Sequence, residues 1–276
     1  MARVGINGAL SGLMGDAVFR NYNGQTYLCS RPDKVRNPRT ENQQAQRLKL
    51  RNIINLYGTM KDAMKDNFQG KAPRQSDYTR FQACNLSRPA VYMTMYEGDW
   101  NRGSIVAPYI VSFGTLPSIE YHIEDGWLVS DLKVSTLNLE PDTSIMDLTS
   151  AITTENEDWR EGDTLEIITC EQRVITGDEQ NARPYAHCNY ANIRLTNEFK
   201  KPLASLLNDI EIKVNDDGFL CVKVPSEGGA ALVRKRGEGR DTMTSVQSLE
   251  ICNPTFDTYH SEERKQLAIT SYAKKK

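Results

Sequence analysis

Glycine recurs through the opening segment at Gly5, Gly8, Gly12, Gly15 and Gly24, interleaved with Val18-Phe19-Arg20 rather than with a hydrophobic run. Each glycine costs backbone entropy on ordering and offers no side chain to bury. Such a stretch cannot build a core alone, so it is ordered only where something outside it supplies cover. It then turns basic through Arg31-Pro32, Lys34, Arg36 and Asn37-Pro38-Arg39-Thr40, and leads into Gln43 and Gln46-Arg47. Residues 1–39 read as an extended basic docking arm, which makes partner binding, rather than chemistry, the leading expectation.

Thr40-Glu41-Asn42-Gln43 fits a capping box, in which the threonine hydroxyl accepts from a first-turn N–H and the glutamine reaches back. Leu50, Ile53, Ile54, Tyr57, Met60, Met64 and Phe68 follow at three- and four-residue spacing, predicting a helix over 41–69. Leu50, Ile54, Tyr57 and Met64 are expected on its buried face. Gly58 marks a bend and Gly70 a stop. A second helix is predicted over 76–86, capped by Ser76 and ended before Pro89. Residues 40–90 therefore read as a helical hairpin.

From Ser104 onward the runs are short, β-branched and aromatic: Ile105–Ala107, Tyr109–Val111, Trp127–Val129, Thr164–Cys170, Asn189–Leu195, Ile210–Val214, Phe219–Val224 and Ala230–Val233. Asn215-Asp216-Asp217-Gly218 signals a hairpin, and Gly237-Glu238-Gly239 a second hairpin tip. Short helices are expected at Ser144–Ile152 and Ser261–Ile269. The predicted fold class is α+β: an N-terminal extended arm and helical hairpin, followed by a mainly antiparallel β-sandwich-like region over 91–276.

The net charge of −2 conceals an asymmetry. Residues 1–80 hold 14 Lys/Arg against 6 Asp/Glu, whereas 81–276 hold 20 against 30. Opposite signs on two parts of one chain suit head-to-tail self-association, although each part could also simply solvate itself. The arm residues expected at a subunit interface are Phe19, Arg20, Arg31, Arg36, Arg39 and Arg47.

Six cysteines (Cys29, Cys84, Cys170, Cys188, Cys221 and Cys252) form no C-x-x-C pair and read as reduced thiols, most of them buried. The three histidines, His122, His187 and His260, lack a second donor at metal spacing, so no metal site is expected. Gly8, Gly12 and Gly15 have no preceding strand and no Lys-Ser/Thr, so no nucleotide cofactor is expected. No nucleophile sits in a G-x-S-x-G elbow, and the chain reads as non-enzymatic. No run approaches a membrane span, and the opening residues do not form a signal peptide. The rival class is a nucleic-acid binder. Arg31–Arg51 is basic, and Arg234-Lys235-Arg236 with Arg240 would decorate the second hairpin tip.

The residues Gly15, Val18-Phe19-Arg20, Gly24, Arg31-Pro32, Asn37-Pro38-Arg39-Thr40, Gln43 and Gln46-Arg47 carry a resemblance. The chain resembles an uncharacterised family of Bacteroidetes proteins with a glycine-rich opening, an R-x-P segment and an N-P-x-T-x-x-Q-x-x-Q-R helix start. Phe113-Gly114-Thr115-Leu116-Pro117 and Thr244–Leu249 fit the same pattern more loosely. The resemblance implies a phage or prophage setting, including crAss-like phages, and a virion component assembled in the bacterial host cytoplasm. The implied partners are copies of itself and other virion proteins. It implies no catalytic residues.

Overall fold

The computed structural model describes residues 3–4, 10–22, 25–31, 40–72, 75–98, 100, 102–140, 142–175, 183–197 and 201–273. The chain divides into two compact units, Met1–Thr40 and Glu41–Lys276.

The first unit is a four-stranded antiparallel meander of β1 (Arg3–Val4), β2 (Leu10–Met14), β3 (Ala17–Tyr22) and β4 (Gln25–Ser30), in that spatial order. The described residues of the segment expected as an extended arm are thus folded into a sheet; residues 32–39 lie outside the described residues. Gly15 explains the first reversal: with φ at 59° it opens the two-residue loop between Met14 and Ala17, a conformation that costs other residues a steric penalty.

The second unit begins with α1 (Glu41–Met60), followed by α2 (Asp77–Asn85), α3 (Met95–Gly98), β5 (Ile110–Ser112), β6 (Tyr121–Glu124), β7 (Trp127–Lys133) and α4 (Ile145–Glu155). It continues through β8 (Thr164–Ile175), β9 (Arg183–Arg194), β10 (Ile212–Val214), β11 (Phe219–Lys223), β12 (Gly228–Arg236), β13 (Met243–Thr244), β14 (Gln247–Ser248) and β15 (Glu250–Cys252). Helices α5 (Pro254–His260) and α6 (Glu262–Ala273) close it. The fold is α+β, as the change of period at Ser104 implied.

The central layer is the sheet β13-β12-β8-β9, with β15 also paired to β12. Strand alternation gives it two apolar faces. Leu165, Ile167, Ala191, Ile193, Ala230 and Leu232 join Leu128, Leu220 and Val222 of the sheet β10-β11-β7-β6, with Leu148 and Ile152 of α4, in one core. Ile168, Cys170, Ala231 and Val233 on the other face join Ile53, Leu56, Met60, Met64 and Phe81 in a second core. This face-to-face arrangement is sandwich-like, with a helical layer on the outer side of the larger sheet.

Helix α1 is shorter than its periodicity predicts. Asp66 adopts φ 58°, and Asn67 and Gln69 instead exchange backbone hydrogen bonds with Phe113. Met64 is buried as expected, but within α1 the buried stripe lies one residue away from the expected one: Ile53 is 1% exposed and Ile54 is 38% exposed, because the face is centred on Ile53, Leu56 and Met60. One residue is about 100° of helix rotation, enough to move a side chain from core to rim. Accordingly Ile53→Ala should cost about 2–5 kcal/mol in urea unfolding. Ile54→Ala should cost no more than about half a kcal/mol. Equal losses would refute this facing.

The run Ile105–Ala107 is fully buried yet lies in no strand. Side-chain amides stand in for a neighbouring strand. Asn52 donates to the Ile105 carbonyl and accepts from its N–H, Asn85 does the same with Ile110, and Gln172 accepts from Val106 N–H. Each is itself buried; Asn52 and Gln172 thereby hold apolar backbone without a ladder, and Asn85 supplements the start of β5.

The helix starts follow local chemistry. Ser76 caps α2 by accepting from Thr79 N–H, and Ser144 forms a capping box with Asp147. At the far end of α4, Glu155 accepts from the N–H and hydroxyl of both Ser135 and Thr136 at 2.6–3.0 Å. Those bonds, the Ser135 hydroxyl foremost, lower its carboxyl from 4.5 to about 2. A depressed acid contributes stability that is complete above pH 4.5 and is lost as pH falls toward about 2. A carboxyl-carbon NMR titration should place the Glu155 midpoint near that lower value. Glu155→Gln should flatten this part of the acid limb. A midpoint close to 4.5 would contradict the bonding pattern.

Candidate assembly surface

Among the described residues, the meander of the first unit carries exposed apolar side chains on both faces. Strand register sorts them, because directly paired residues share a face. Phe19 pairs with Gly12 and with Leu28, and Ala17 with Met14 and with Ser30. Leu10, Met14, Phe19 and Leu28 therefore share one face. Leu13 pairs with Val18, Val18 with Cys29, and Arg20 with Tyr27, which defines the other. All five residues of β2 and all six of β4 are solvent-exposed. Met14 is 60% and Leu28 64% exposed.

Such a sheet has little to hold it. Its local ties include Thr26 hydroxyl to Asn21, Tyr27 hydroxyl to Gln25, and Arg31 N–H to the Asp16 carbonyl. An uncovered, short-stranded sheet is marginal in water, and a cluster of exposed large apolar residues marks an interaction surface. Among the described strands, the spatial order leaves β1 and β4 as the edges, where a further strand could pair.

Of the interface residues expected from sequence, Phe19 and Arg20 lie on β3, half-buried and exposed respectively, and Arg31 follows β4, exposed. Arg47 lies exposed on α1 in the second unit. Arg36 and Arg39 lie outside the described residues. The apolar residues Leu10, Leu13, Met14, Tyr27 and Leu28 were not anticipated as surface. Their signal was weak alternation between glycines, with no long run to announce a strand.

The basic run Arg234–Arg236, expected to decorate a hairpin tip, lies at the end of β12 and is paired within the fold. Arg234 is 2% and Asp163 1% exposed; Arg234 donates to Asp163 Oδ2 at 2.9 and 3.1 Å, and its guanidinium stacks over Trp159 at 4.6 Å. Arg236 donates to both oxygens of the same carboxylate at 2.6 and 2.8 Å. Lys235 points to the opposite face of β12, 3.0 Å from Glu166 and bonded to the Lys65 carbonyl. Asn67 donates to the same Glu166 oxygen at 2.9 Å. Burial raises the Glu166 carboxyl above its usual range despite Lys235. Charge counted along the sequence does not report burial. These cations answer carboxylates within the fold, and Arg234 and Lys235 do not form a surface for phosphates.

One groove gathers Lys65, Glu166, Arg194, Lys235 and Glu238, of which Lys235 bonds Glu166 and Arg194 bonds Glu238 at 2.6 Å. Among the described residues, no three His, Cys, Asp or Glu side chains are grouped to hold a metal ion, and no helix is long and apolar enough to cross a membrane.

Residues 9–92 match a family of unknown function, DUF6266. That span takes in β2, β3 and β4 of the meander, but not β1, and continues through α1 and α2. No curated protein and no solved structure matches the chain.

Proposed function

We propose that this protein is a non-enzymatic structural component of a tailed-bacteriophage particle, a ring, neck or tail protein, that acts by assembling with copies of itself and with other virion proteins. The observation that carries this reading is the exposed meander with Leu10, Met14, Phe19 and Leu28 on one face. The phage setting rests on the resemblance of the first fifty residues. A neighbouring subunit would bury that face at about 25 cal/mol per Å² of apolar surface, and a strand added at β1 or β4 would satisfy backbone groups. The basic character of residues 1–80 against the acidic remainder favours head-to-tail over face-to-face association. The virion is the corresponding location, reached after folding in the host cytoplasm.

The rival reading, a protein that binds the phage genome, loses support from the burial of Arg234 and Lys235. Sedimentation velocity beside salt-titrated DNA binding separates the two. Assembly predicts a discrete oligomer whose DNA affinity, if measurable, changes little with salt. A monomer whose affinity falls steeply with salt would transfer the reading to the genome binder.

A further inference from the structure

Cys170 and Cys188 are separated in sequence and directly opposed in space. They are register partners in the β8–β9 pair, and their sulfurs lie 2.6 Å apart. Both are thiols here. Unbonded sulfurs in ordinary contact stand farther apart than this. Opposed residues on antiparallel strands also bring their Cβ atoms close to the separation a disulfide accepts.

The position in the sheet is specific. The ladder of β12 on β8 runs from Lys235 opposite Thr164 to Gly228 opposite Glu171. Past that rung β8 and β9 continue together, from Gln172 opposite Ala186 to Ile175 opposite Arg183. The cysteine pair therefore sits at the base of a two-stranded ribbon, where it leaves the larger sheet. Across from Cys170 on β12 is Gly229, and a Cβ added to Gly228 would lie 2.0 Å from the Cys170 carbonyl oxygen. Met60 Sδ closes a further side at 3.5 Å from Cys170 Sγ. Cys170 is fully buried, whereas Cys188 is half-buried and is the more accessible of the two.

We propose that Cys170 and Cys188 are a disulfide-forming pair that closes by exchange with a small-molecule disulfide and staples the base of the β8–β9 ribbon. Cys188 gives its proton to water, and its thiolate attacks one sulfur of the oxidant. The oxidant's S–S bond breaks and its first thiolate leaves. Cys170, deprotonated in turn, attacks Cys188 Sγ of the mixed disulfide and expels the second thiolate. Two cysteine thiols are oxidised, one external disulfide is reduced to two thiols, and the two protons end on those thiols. Burial, with Cys170 alongside, holds the Cys188 thiol well above its usual range, so closure is slow at neutral pH. It should accelerate about tenfold for each pH unit below that value.

The test uses the full chain, reduced and then incubated with oxidised glutathione at two pH values. Remaining thiols are blocked, and the protein is digested without reductant for mass spectrometry. The expected result is a linked pair of peptides bearing Cys170 and Cys188, formed about tenfold faster per pH unit. The exposed Cys29 and Cys252 should carry the blocking label or glutathione instead. Blocking label on both Cys170 and Cys188 would overturn the proposal. So would glutathione retained on Cys188 without closure, or a link from either cysteine to Cys29 or Cys252.

Discussion

Replacing Asp163 by alanine is expected to destabilise the Glu41–Lys276 unit by about 3–5 kcal/mol, the range for removing one partner of a buried ion pair. Asp163 is buried and accepts from Arg234, Arg236 and the Arg160 N–H. Without it, the guanidinium of Arg234 keeps the Asp158 carbonyl and the Trp159 ring but has no counter-charge. That guanidinium cannot neutralise itself by losing a proton, so the full desolvation cost falls on the folded state. Asp163→Asn keeps the shape and some acceptor capacity, and should lose less. The pH dependence supplies a second signature. Burial pushes the Asp163 carboxyl up, but the hydrogen bonds from Arg236 and Arg234 outweigh it, and the group lies below its ordinary value. Its contribution is therefore complete above about pH 4, where the unfolded carboxyl is ionised, and is lost as pH falls through the lower folded value. Urea unfolding at pH 7 and in mild acid measures both. A loss below about 1 kcal/mol at pH 7 would mean that the pair behaves as a surface salt bridge.

The same network shows where sequence reading stops. Arg234, Lys235 and Arg236 follow one another, and strand alternation sends Lys235 to the face opposite Arg234. Their partners Asp163, Asp158 and Glu166 lie about seventy residues earlier, and no local pattern links them. Signals that depend on a few neighbouring residues were legible. Ser76 and Ser144 start helices, Asn215–Gly218 turns between β10 and β11, and the β-branched runs became β8, β11 and β12. Signals that depend on remote packing were not. The face of α1 was set one residue away, by contacts to the segment after Ser104. Ile105–Ala107 has strand composition, but Asn52 and Gln172 hold it in place of a ladder. Helix α5 was missed because it is short and opens on Pro254 directly after β15. The meander is hard to read for a different reason: apolar side chains fall on both of its faces, so it lacks the in-out alternation that betrays a strand. The cysteine pair could not be found from spacing at all, since only the β8–β9 register opposes the two residues.

That missing alternation is what the largest assembly effect should come from. Met14 and Leu28 share the face of Phe19, and each is more than half exposed. Covered by a neighbour, each side chain would contribute about 1.5–3 kcal/mol at an interface. Met14→Glu with Leu28→Glu removes both contributions and asks the interface to bury two carboxylates. Association is therefore expected to weaken at least a hundredfold, which is about 2.8 kcal/mol at 1.4 per decade. In sedimentation velocity the oligomer should give way to a monomer. The melting transition of the Glu41–Lys276 unit should persist, since its two cores draw on no residue of the meander. Leu13→Glu with Tyr27→Glu is the matched pair on the opposite face. If that pair alone disrupts assembly, the interface uses the other side of the sheet. If both double variants assemble as the wild type does, the meander is not the joining surface, and the proposed structural role must rest on another part of the chain. If either variant abolishes the melting transition, the two units fold together, and the division at Thr40 does not mark an independent docking element.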